Sequence, residues 1–152
     1  YLVAEPGDVA DILRAFIGRI GPGEFVGILA YLPYSEDSAL GTQALRESLS
    51  KYQGWLTTLG YGPRFLHSTG QLYKGGANNG HFIQLTCEDE VDFPIPGKNF
   101  SFSVLKAAQA AGDMQTLEAH GRRVLRCHFK TQPVEGFEYL KGLLDRVLEE
   151  EG

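Results

Sequence analysis

The run Glu24-Phe-Val-Gly-Ile-Leu-Ala-Tyr-Leu32 is nearly continuous in apolar side chains and has the length of one strand. A strand covered on one face alternates apolar with polar residues. One covered on both faces reads as this run does, and parallel sheets are the usual setting. Upstream, Val9, Ile12, Leu13, Phe16, Ile17 and Ile20 recur at helical spacing. Pro6-Gly7-Asp8 offers the start of that helix, with Asp8 where an acidic group suits the helix dipole, and Gly21-Pro22-Gly23 ends it. Downstream, Ser35 can cap a second helix with Leu40, Ala44, Leu45 and Leu49 inward.

The alternation continues to the end of the chain. Trp55–Leu59 reads as a second strand, closed by Gly60-Tyr61-Gly62-Pro63, and a polar, glycine-rich loop follows from Arg64 to Gly80. His81–Cys87 is a third strand, and Val91–Gly97, with two prolines, a loop or short edge piece. Phe102–Ala111 is helix-like, Gly112-Asp113 breaks it, and Met114–His120 makes another short helix. Arg122–Phe129 is a fourth strand. Pro133–Glu150 closes with an amphipathic helix carrying Phe137, Leu140, Leu144, Val147 and Leu148. Strands joined by crossover helices form a parallel sheet with helices on both faces. Ligands bind such sheets outside the carboxyl ends of the strands, which directs attention to the loops after Leu32, Leu59 and Cys87.

With 152 residues, the chain is one domain's worth of sequence, spanning 1–152. No apolar run approaches the ~20 residues of a membrane span. The formal net charge of −5 opposes general nucleic-acid binding, which needs a basic face. Cys87 and Cys127 lie forty residues apart, outside any CxxC or Cys/His metal spacing, as expected of reduced thiols in a cytoplasmic protein. The chain opens on Tyr1 rather than Met, which points to a piece of a longer polypeptide.

The chemistry concentrates in Leu59–Gly80. Arg64, His67, Ser68, Thr69, Gln71, Lys74, Asn78 and Asn79 stand there among six glycines. Glycines let backbone approach a ligand, while hydroxyls, amides and cations suit sugar hydroxyls and phosphate oxygens. A glycine-rich surface turn with solvated polar groups has the same composition.

The run Gly62-Pro-Arg-Phe-Leu-His-Ser-Thr-Gly-Gln-Leu-Tyr-Lys-Gly-Gly76 closely resembles the C-terminal sugar-isomerase (SIS) domain of glucose-6-phosphate isomerase. It is most similar to the kind fused behind a transaldolase in bifunctional transaldolase/glucose-6-phosphate isomerase. The resemblance extends to Gly27–Pro33, Pro94–Gly97, Phe102–Gln109 and Gly121–Arg126. It implies a three-layer α/β/α sandwich around a five-stranded parallel sheet, Rossmann-like in outline. It also implies aldose–ketose isomerisation of glucose 6-phosphate and fructose 6-phosphate with no metal or organic cofactor. The proton moves between C1 and C2 through an enediol, while cations and amides stabilise charge developing on oxygen.

Carried over residue by residue, the resemblance makes His67 and Lys106 the catalytic candidates for acid/base help in ring opening. Arg64, Ser68, Thr69, Gln71, Tyr73, Lys74 and Gln109 become substrate-binding candidates. The family commonly has a second histidine at the place of Tyr73, and a phenol titrates near ~10, which sets the ring-opening role in question. Each candidate has a plain structural alternative: His67 bonding loop backbone, Lys106 solvated on its helix, Ser68 and Thr69 satisfying a turn. No position matches the proton-transferring glutamate, and the main phosphate-gripping loop belongs to a preceding SIS domain. A transaldolase needs a Schiff-base lysine in a β/α barrel that this length cannot supply. The resemblance therefore implies an enzyme fragment that is inactive alone. Its partners would be a sugar phosphate and the preceding SIS and transaldolase domains, with homodimerisation through surfaces left bare. The competing reading is a stand-alone phosphosugar-binding regulatory module. His81, His128 and the cluster Arg122, Arg123 and Arg126 read as structural, His120 as a helix C-terminal cation, and Glu88–Glu90 as a solvated loop.

Overall fold

The computed structural model describes residues 9–130 and 132–151. In chain order these form α1 (Val9–Ile17), β1 (Phe25–Tyr31), α2 (Glu36–Gln53), β2 (Leu56–Tyr61), α3 (Thr69–Gly75), β3 (Gly80–Cys87), α4 (Phe102–Ala119), β4 (Arg123–Phe129) and α5 (Pro133–Glu151). The expected helix start at Pro6–Asp8 lies outside the described residues. All strand pairings are parallel, in the order β2-β1-β3-β4. Phe25 stands opposite both Leu56 and Gly80, and Ala30 opposite both Tyr61 and Leu85, so β1 is paired along both edges.

Parallel strands cannot be joined by tight turns, so each connection is a crossover helix. Along β1, Val26, Ile28 and Ala30 pack into the core shared with α1, α2 and α5. Leu29 and Tyr31 point the other way, toward Tyr73 of α3 and Ala110 and Leu117 of α4. The result is three layers with helices on both faces, as the unbroken apolar run in β1 requires. The sheet has four strands among the described residues, not the five that the resemblance implies.

Three local expectations are corrected. Gly112-Asp113 does not break α4, which runs unbroken across it. Gly112 is exposed with open space around it, and Asp113 is buried with partners for its carboxylate. The loop expected from Arg64 to Gly80 contains α3. In α2, Ser35 caps as expected by accepting from the Ser38 amide, but Leu40 points outward and is 63% exposed. The inner face is Ser38, Thr42, Leu45 and Leu49, at spacings of four, three and four, and Leu40 is off that stripe. Small polar residues there let α2 approach α5 so closely that a Cβ on Gly41 would stand 2.3 Å from the Phe137 ring.

β1 is where the connections diverge. The chain leaves β1 through α2 on one face and leaves β3 through α4 on the other. The loops after these two neighbouring strands therefore part, opening a crevice at their carboxyl ends.

Candidate functional site at the carboxyl edge of the sheet

The segment after β2 is tied to the end of β1. The Gly62 amide donates to Ala30 O at 2.9 Å, and Gly62 lies so close to the Tyr31 ring that a Cβ would stand 2.3 Å from it. Glycine is required by that approach rather than by a turn conformation. Phe65 meets the same ring edge-on at 5.8 Å. Phe65 O accepts from the amides of Ser68, at 3.1 Å, and Gly70, at 2.8 Å, folding 62–70 into a tight knot ahead of α3. Because β3 runs parallel to β2, the segment must then cross the sheet. Its far end lies at the amino edge, where Arg122 donates to Lys74 O at 2.7 Å and Gly76 O at 2.6 Å. Residues 62–69 thus rim the carboxyl edge, and 76–80 do not.

The expected site residues divide by what they touch. His67, Ser68 and Thr69 are exposed on the rim. His67 has no hydrogen bond or ion pair among the described residues, while Ser68 Oγ is 3.5 Å from Phe65 O. Arg64 lies over the Tyr34 ring, 5.7 Å from its centroid. Gln71 donates to Leu66 O at 2.7 Å. Tyr73 is buried, shares a 2.8 Å hydrogen bond with Thr58 Oγ1 and packs against Phe82 at 4.8 Å. Lys74 turns inward to Asp113. Lys106 is ion-paired with Asp89, two residues past the end of β3, so the carboxyl edge holds it as well. Gln109 follows one turn later on α4 and is half-buried.

One feature escaped the sequence reading, a buried polar hub. Asp113 Oδ2 accepts from the Tyr31 hydroxyl at 3.1 Å, and Lys74 Nζ is 2.7 Å from Oδ1. Burial, then the charge of Asp113, push the Tyr31 phenol well above its ordinary range. Beside it, Gln84 is fully buried, donates to Ala110 O at 3.0 Å and accepts from Arg126 Nε at 2.7 Å. The available signal was helical spacing: Asp113 falls between Ala110 and Leu117 on the buried stripe of α4.

The loops after β1 and β3, to which the sequence directs attention, form a crevice, an open groove of about 500 Å³. Pro33, Ser35, Cys87, Asp89 and Lys130 are among its walls, and none of the expected site residues is. Its wall residue Asp89 is the ion-pair partner of Lys106. Burial raises the Cys87 thiol and pushes that of Cys127 up to about 12, so neither offers a thiolate near neutrality. Among the described residues no group of three or more His, Cys, Asp or Glu side chains converges as metal ligands would. No described helix is long and apolar enough to cross a membrane.

The remaining histidines have structural partners. His81 is buried with Nε2 2.8 Å from Glu24 Oε2, and Arg123 pairs with the other Glu24 oxygen at 3.0 Å. His128 Nδ1 meets Thr86 Oγ1 at 2.9 Å, and His120 caps the end of α4, its Nδ1 donating to Thr116 O at 2.7 Å.

Fold and edge define a layered α/β protein with a parallel sheet and an open groove at its carboxyl edge. No family model and no curated protein matches the chain. Among solved structures it is similar to hypothetical protein TT0462 from Thermus thermophilus, with a TM-score of 0.70 and 19% sequence identity. The match covers 96% of this chain and 40% of that one, a likeness of fold.

Proposed function

We propose that this chain is the C-terminal isomerase domain, of SIS type, of a transaldolase/glucose-6-phosphate isomerase. It contributes one wall of the site that interconverts glucose 6-phosphate and fructose 6-phosphate. One observation carries the reading: the part of the Gly62–Gly76 motif that holds His67, Ser68 and Thr69 rims the carboxyl edge, the same edge to which Asp89 holds Lys106. In this scheme the His67 imidazole exchanges the ring-opening proton, and the Lys106 ammonium stabilises charge developing on oxygen. The proton-transferring carboxylate and the main phosphate grip come from a preceding SIS domain, in a cytoplasmic enzyme that needs neither metal nor organic cofactor.

Two measurements test this. The chain alone turns over no fructose 6-phosphate, so turnover comparable to the intact enzyme rejects the division of the site. Titrating 6-phosphogluconate into the ¹⁵N-labelled chain shifts the amides of His67, Ser68, Thr69 and Lys106. Shifts confined to residues 76–80, or none, reject the rim as a phosphosugar wall.

A further inference from the structure

The buried hub beneath the rim serves no step of the chemistry just described, yet it touches every element that carries it. Tyr31 ends β1 and underlies Gly62 and Phe65, so its ring is the floor on which the rim segment sits. Its hydroxyl donates to Asp113, whose side chain is 1% exposed. Asp113 lies four residues beyond Gln109 and seven beyond Lys106, on the same side of α4. Lys74, 14% exposed, closes the circuit from the far end of α3, and Asp113 Oδ1 has no hydrogen-bonding partner among the described residues apart from that ammonium. A single carboxylate therefore joins the sheet, the segment bearing His67–Thr69 and the helix bearing Lys106 and Gln109. The hydroxyl and the ammonium hold its two oxygens from different elements, which fixes both distance and orientation.

We propose that Asp113 is a positioning residue: through Tyr31 and Lys74 it fixes the 62–69 rim against the Lys106–Gln109 face of α4, and so sets the affinity of that rim for a phosphosugar. The proposal rests on the reading of the rim given above. It also assigns Lys74 a structural task, because an ammonium withdrawn from Asp113 would leave a buried carboxylate with the Tyr31 hydroxyl alone.

The test compares Asp113→Asn, Lys74→Met and the milder Tyr31→Phe with Glu24→Gln. Glu24→Gln disturbs a polar cluster at the amino edge and touches neither the rim nor α4. Two readouts are taken on each folded variant: amide hydrogen exchange across 62–69 without ligand, and 6-phosphogluconate affinity by amide shifts. The three hub variants are expected to speed exchange across 62–69 by about tenfold relative to Glu24→Gln, as local opening replaces a fixed joint. They are expected to weaken 6-phosphogluconate binding by about tenfold, whereas Glu24→Gln leaves it unchanged. Adding Asp113→Asn to Lys74→Met recovers part of the melting temperature, because the unpaired charge is gone, but not the affinity, because the joint is still missing. Lowered melting temperature with exchange and affinity matching the Glu24→Gln control overturns the proposal and leaves a purely stabilising ion pair. Tyr31→Phe retains the ring that carries Gly62 and decides the matter if the charge variants do not fold. If the parent chain binds no 6-phosphogluconate, the reading of the rim fails, and the exchange data still decide whether Asp113 fixes it.

Discussion

Replacing Gly112 by Ala tests whether α4 is one helix or two. The residue sits in the interior of an 18-residue helix, has no positive φ, and a Cβ there would meet nothing within 4 Å. With no steric term, the change carries only the backbone-entropy difference between Gly and Ala, about 1 kcal/mol in a helix interior. For a chain this size that is a rise of roughly 2–4 °C in melting temperature. The Thr116 hydroxyl bonds the Gly112 carbonyl at 2.7 Å and is undisturbed, because the substitution leaves the backbone oxygen in place. Urea unfolding followed by circular dichroism reads the effect as a higher midpoint at constant slope. The matched substitution in α2 has the opposite sign. At Gly41 the same Cβ would stand 2.3 Å from the Phe137 ring, which is 4% exposed and held edge-on by Phe129 at 5.2 Å. The ring has nowhere to swing, so an overpacking cost of about 1–3 kcal/mol outweighs the same helical gain. A midpoint that stays or falls on Gly112→Ala refutes the continuous helix and returns the break that the Gly-Asp pair suggests.

Thr58→Val removes the hydrogen-bonding partner of the buried Tyr73 phenol and is expected to cost about 1–3 kcal/mol; adding Tyr73→Phe, which removes the stranded hydroxyl, recovers part of it in the same unfolding assay. Failure to recover means that the phenol finds another partner. Stability is expected to fall as pH drops below about 6.5. Burial lowers the His81 pKa, so the unfolded chain takes up that proton first; Glu24, lowered by the Gly21 amide and the His81 hydrogen bond, adds a second loss further into acid. Melting curves of His81→Gln between pH 8 and 5 should lose the first of these slopes; an unchanged slope removes His81 as its source. Asp89→Asn frees the Lys106 ammonium from its carboxylate and is expected to strengthen 6-phosphogluconate binding severalfold. Weaker binding by NMR titration would mean that Asp89 orients Lys106 rather than neutralising it.

The fold was legible because its signals were of kinds that a sequence carries. The unbroken apolar run 25–32 announced a strand covered on both faces, and glycine and proline clusters marked most of the turns. Errors arose where tertiary contacts overrode local propensity. Gly112 is tolerated mid-helix because the stripe Ala110, Asp113 and Leu117 is fixed against the sheet. Helix α3 was hidden because glycine and hydroxyl residues, poor helix formers, are held by Phe65 O and by the packing of Tyr73. The rim's position followed from its place after β2. What its side chains touch did not, because Lys74–Asp113, Lys106–Asp89 and Thr58–Tyr73 join residues from separate elements.

Those pairings bear on why, in the proposed enzyme, the chain would serve as a wall rather than as a whole site. A phosphosugar brings about two negative charges and needs cations free to meet it. Of the candidate cations, Lys74 is held inside by Asp113, Lys106 is paired with Asp89, and Arg64 lies over Tyr34. The nearest groove adds Asp37, Glu88 and Glu90 against Lys130. With a net charge of −5, the chain alone gives a phosphate little long-range attraction, so its contacts with a phosphosugar are short-range. What it offers without partners is directional: the His67 ring and the Ser68 and Thr69 hydroxyls on the rim, with Gln109 one turn from Lys106 on α4. Those groups suit sugar hydroxyls and proton exchange better than phosphate. The division of labour in the proposed enzyme follows from this electrostatics: the phosphate is gripped by another domain, and this one meets the carbon end of the sugar.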